Sequence, residues 1–86
     1  MIRVSFKPTF VRQMNKIEKN LAEEVFEKIK LFKNEKNHKQ LKVHKLHGKL
    51  SGCFSFSVNY RARIVFEYEF KKNTVFLAIG DHDMYA

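Results

Sequence analysis

Eighty-six residues allow one domain with one hydrophobic core, and an apolar fraction of 44% with 14% aromatics excludes a wholly disordered chain. Seventeen Lys and Arg against nine Asp and Glu leave a formal charge of +8, an excess whose natural complement is a polyanion, either a nucleic acid or an acidic protein. The single cysteine, Cys53, excludes a disulfide scaffold and points to a reducing cytoplasm. No apolar run approaches the roughly 20 residues that span a bilayer, and the alternating amino terminus does not read as a signal peptide.

Ile2, Val4 and Phe6 alternate with polar residues and predict a half-buried strand, which Pro8 ends while suiting the first turn of a helix. Phe10, Met14, Ile17, Leu21, Val25, Ile29 and Phe32 then recur at helical spacing. Asn20, read as an N-cap with Glu23 three residues later, divides that stripe into helices over 8–18 and 21–33. Residues 34–40 contain nothing apolar and read as an exposed connection. Strands follow at about 41–46, 53–58, 62–70 and 74–82, where β-branched and aromatic residues lie between turn signals. The order β-α-α-β-β-β-β predicts a single α+β domain over 1–86, a mainly antiparallel twisted sheet packed on an N-terminal helical hairpin.

Matching apolar with apolar sets the hairpin registers, because opposed residues of an antiparallel pair point to the same side. Phe56 opposite Ile64 leaves a three-residue loop at Asn59, Tyr60 and Arg61 and places Ser57 across from Arg63. A two-residue turn at Lys72 and Asn73 pairs Phe66 with Ile79 and places Arg63 across from His82, while His44 falls across from Ser55. His44, Ser55, Ser57, Arg63 and His82 are therefore expected on the sheet face away from the helices.

Two imidazoles beside a guanidinium suit phosphodiester chemistry. Histidine titrates near neutrality and serves as acid or base, and arginine offers a charged planar fork to phosphate oxygens. RNA supplies its own nucleophile, the 2′-hydroxyl, so no metal or cofactor is required. The alternative is that these groups are ordinary solvated surface residues. Tyr85 would stack on a base, position a phosphate or simply anchor the tail. His44, His47, Cys53, Asp81, His82 and Asp83 are metal-ligand types, but their spacing matches no closed zinc site. Cys53 reads as an inert small apolar residue rather than a nucleophile.

Three segments carry a family resemblance: LHGKLSGCF from Leu46 to Phe54, YRARIVF from Tyr60 to Phe66, and AIGDHDMY from Ala78 to Tyr85. In order and spacing they resemble the RelE/ParE superfamily of bacterial type II toxins, over nearly the whole chain. The resemblance implies a RelE-like fold and a metal-independent, ribosome-dependent mRNA endonuclease, held inactive by a co-expressed antitoxin. It aligns Arg63 with the arginine that contacts the scissile phosphate, His82 with the general acid, His44 with the general base and Tyr85 with the terminal aromatic. Ser55 and Ser57 stand where RelE carries lysines, so the set is nearer to YafQ and YoeB. Lys42, Lys45, His47, Lys49 and Arg61 are the expected RNA-binding residues. The implied partners are an acidic, partly disordered antitoxin, the ribosome and mRNA, with no membrane and a monomeric free toxin. The ParE branch offers the other reading, a non-nuclease that inhibits DNA gyrase.

Overall fold

The alternating start of the chain forms strand β1 (Arg3–Phe6), and Pro8 occupies the first turn of helix α1 (Pro8–Met14). These elements belong to a computed structural model that describes residues 1–70 and 73–81. Helix α2 (Lys19–Phe32) follows, then strands β2 (His44–Lys45), β3 (Phe54–Ser57), β4 (Ala62–Tyr68) and β5 (Asn73–Asp81). The sheet order is β1-β5-β4-β3-β2; β1 runs parallel to β5 and every other pairing is antiparallel. This is the expected α+β architecture, with the chain crossing through both helices to reach the far edge of the sheet. Among the described residues no helix is long and apolar enough to cross a membrane.

Boundaries differ from expectation in physically instructive ways. The first helix stops at Met14 instead of 18, and α2 begins at Lys19 behind Glu18, whose side chain makes no capping bond. Asn20 therefore lies inside the first turn and caps nothing. Ile17, in the connection, still packs on the core, so the apolar stripe runs straight through the helix break and hides it. The connection after α2 is also not wholly exposed. A 3₁₀ turn, Glu35–Asn37, is capped by the Asn34 side chain, which accepts from the Lys36 N–H at 3.0 Å. His38 is half-buried, stacked on Phe32 with ring centroids 4.5 Å apart.

The core is aromatic. Phe32, Phe56, Phe66 and Phe76 are all 0% exposed; Phe32 stacks on Phe56 at 4.7 Å and meets Phe66 and Phe76 edge-on at 4.9 and 5.4 Å. Such pairs add about 0.5–1.5 kcal/mol each beyond area burial. Val25 and Ile29 of α2 and Phe10 of α1 join them, which is the predicted burial of the helical stripe on one sheet face.

The β3–β4 hairpin has the expected register, Phe56 opposite Ile64 and Ser57 opposite Arg63. Its three-residue loop is closed by Asn59, whose Oδ1 accepts from the Arg61 and Ala62 N–H groups, each at 2.8 Å. The β4–β5 register departs from the prediction. Phe66 pairs with Phe76, Ile64 with Ile79 and Arg63 with Gly80, not with His82. Between Phe76, opposite Phe66, and Ala78, opposite Val65, lies one extra residue, Leu77, a β-bulge that moves the strand's inward face from even positions before it (Phe76) to odd positions after it (Ile79). Phe76 thereby takes the core position that strict alternation assigns to Val75 and Leu77. Strand β4 ends at Tyr68, before the predicted 70, and Phe70 is 79% exposed. The predicted strand over 41–46 shortens to His44–Lys45 because Leu41 and Lys42 form a turn.

Candidate functional site

The short edge strand β2 carries His44 on the sheet face opposite the helices, across from Ser55 of β3. One strand further in, β4 presents Arg63 on the same face, across from Ser57. Arg63 Nη1 donates to His44 Nε2 at 3.3 Å, and the fully buried Ser55 hydroxyl lies 3.4 Å from the same nitrogen. On the other side of the ring, Nδ1 lies 2.8 Å from the Lys42 carbonyl. The expected grouping of His44, Ser55, Ser57 and Arg63 on one face is thus what the strand registers produce. His82 and Tyr85 lie outside the described residues.

The basic residues divide between two surfaces. Lys42, Lys45, His47 and Lys49 are all exposed and flank His44 along the chain, the last two at a 3₁₀ turn, Gly48–Leu50. Arg61 instead borders a cleft between the β3–β4 loop and the start of α2, together with Glu18, Glu24 and Asp81. Asn59 spans the loop side of that cleft, its amide 3.4 Å from both Glu24 carboxylate oxygens. Among the described residues no group of three His, Cys, Asp or Glu side chains is arranged to hold a metal ion.

Two features were not foreseen. His38 has a structural place, its Nε2 2.7 Å from the Phe32 carbonyl. Lys42, expected only as an RNA contact, has a left-handed backbone with φ of 60°, a conformation that costs a non-glycine residue roughly 1–2 kcal/mol. No sequence signal marks it, since lysine has no preference for that region.

Burial, and secondarily the Glu67 carboxylate, push the Cys53 thiol above its ordinary range. Because the thiolate is the reactive form, alkylation by iodoacetamide near neutral pH should run several-fold slower than on free cysteine, and Glu67→Gln should speed it up. A rate equal to or above that of free cysteine would contradict this placement.

A five-stranded mixed sheet on two N-terminal helices, entered by a parallel first strand, is the fold of the RelE-type toxins. No family model and no curated protein matches the chain. Solved structures do. The heterotetrameric YoeB–YefM toxin–antitoxin complex of Staphylococcus aureus contains a chain of the same fold, with a TM-score of 0.72 and 17% identity over 95% of this chain and 98% of that one. The archaeal RelE–RelB complex of Pyrococcus horikoshii gives a TM-score of 0.72 and 18% identity over 93% of each chain. A mutant of YafQ from E. coli gives 0.67 and 14%, over 98% of this chain and 97% of that one.

Proposed function

We propose that the protein is the toxin of a type II toxin–antitoxin pair and that it cuts mRNA on the ribosome by activating the RNA's own 2′-hydroxyl. The observation that carries this reading is the His44–Arg63 contact at 3.3 Å on an exposed sheet face. In the proposed reaction His44 Nε2 takes the 2′-hydroxyl proton, and the 2′-oxygen attacks the adjacent phosphorus. Arg63 moves from the imidazole to the phosphate and stabilises the charge of the pentacoordinate transition state. The P–O5′ bond breaks and His82 protonates the departing 5′-oxygen, leaving a 2′,3′-cyclic phosphate. Tyr85 orients the RNA, and Lys42, Lys45, His47 and Lys49 supply salt-dependent phosphate contacts. The +8 charge also suits an acidic antitoxin, in keeping with neighbours whose structures are toxin–antitoxin complexes.

Primer extension on mRNA translated with and without the purified protein tests this reading. Cuts that need the ribosome, with a bell-shaped dependence of rate on pH, are expected from an acid and a base working together. Intact mRNA together with inhibited supercoiling by DNA gyrase would overturn the endonuclease reading in favour of a ParE-like activity.

A further inference from the structure

We infer that Lys42 is a positioning residue whose left-handed backbone fixes the tautomer of His44, placing the ring proton on Nδ1 and the free lone pair on Nε2. Three observations converge on this. A carbonyl oxygen only accepts, so the 2.8 Å contact from the Lys42 oxygen requires the proton on Nδ1. A guanidinium only donates, so the Arg63 contact at 3.3 Å independently requires a lone pair on Nε2. The third is why the carbonyl points there. Both neighbours of Lys42 are pinned: Leu41 is buried in the core and its carbonyl accepts from the Ser57 N–H at 2.9 Å, while the Val43 N–H donates to the His38 carbonyl at 3.0 Å. Lys42 itself donates to the Lys39 carbonyl at 3.1 Å. The chain turns at this residue with a φ of 60°, and its carbonyl lies against the imidazole.

The same conformation closes the preceding turn as a C-cap, with the Val43 N–H bonded to the His38 carbonyl and the Lys42 N–H to the Lys39 carbonyl. Its consequence at His44 is chemical, because the hydrogen bond made by one ring nitrogen decides which proton chemistry the other can perform. The role of Nε2 as proton acceptor rests on the endonuclease reading above; the tautomer itself does not.

The test compares wild type, Lys42→Gly and Lys42→Val in the full chain. Both substitutions remove the ammonium, so a loss they share belongs to charge. Glycine keeps the left-handed conformation without strain, whereas a β-branched residue resists it. Long-range proton–nitrogen correlation of the His44 ring, at mildly alkaline pH, should report Nδ1–H in wild type and Lys42→Gly, and a mixture containing Nε2–H in Lys42→Val. The cleavage kcat of Lys42→Val should fall about tenfold or more below that of Lys42→Gly, as expected for a base presented in the wrong tautomer. A wild-type ring protonated on Nε2 overturns the inference without recourse to any variant, as does a Lys42→Val spectrum identical to wild type. Equal kcat in the two variants despite a shifted tautomer overturns the catalytic consequence. The expected spectra with no RNA cleavage by wild type would uphold the backbone device and refute the endonuclease reading instead.

Discussion

Arg63→Ala should lower the rate of mRNA cleavage by about 10²–10³-fold while leaving the protein folded, the loss expected when a preorganised donor to a developing anionic charge is removed. The side chain is only half-buried and lies on the face away from the aromatic core, so stability should change little. Arg63→Lys discriminates further. It keeps the charge but loses the planar fork that meets two phosphate oxygens at once, so recovery should be partial. His44→Ala should be at least as damaging if the imidazole is the base. Single-turnover cleavage by each variant measures these effects, with circular dichroism confirming the fold. An Arg63→Ala protein that cuts as fast as wild type would remove the arginine from the chemistry.

Phe32→Ala should cost about 3–5 kcal/mol of stability, the range for truncating a fully buried aromatic ring. A domain of this length has roughly 4–13 kcal/mol in total at typical per-residue values, so this one change should leave the fold marginal. Phe32 is 0% exposed and contacts the rings of Phe56, Phe66, Phe76 and His38. Its effect reaches the site as well. His38 stacks on it, and the His38 carbonyl holds the Val43 N–H beside His44. Urea unfolding compares the variants. Phe32→Leu should lose less because it refills part of the cavity, and a Phe32→Ala loss below about 1 kcal/mol would mean that the core does not depend on this ring.

What could be read from the chain alone follows physical lines. The β3–β4 hairpin was legible because β3 alternates strictly, Phe54 and Phe56 with Ser55 and Ser57, Ile64 and Phe66 of β4 supply matching apolar partners, and Asn59 closes a short loop; that register is what brings Ser57 and Arg63 face to face. The β4–β5 register was not. From Val75 to Ile79 every residue is apolar, so alternation carries no information about faces, and the bulge at Leu77 is set by the need to place Phe76 among the other rings. The error fell on the partner of Arg63 but not on the grouping with His44, which depends on β2, β3 and β4. The conformation of Lys42 was invisible for another reason. It is held by hydrogen bonds to the His38 and Lys39 carbonyls and by one from the Ser57 N–H to the Leu41 carbonyl, contacts that local propensity does not encode.

The proposed His44–Arg63 site would cut RNA through the 2′-hydroxyl at the scissile position. Its most direct test is a programmed ribosome carrying an mRNA with a single 2′-deoxy nucleotide at the mapped cleavage site, compared with the all-ribose message. The all-ribose message should be cut rapidly to a 2′,3′-cyclic phosphate and the deoxy-substituted one not at all. Equal cutting of both messages would contradict this chemistry.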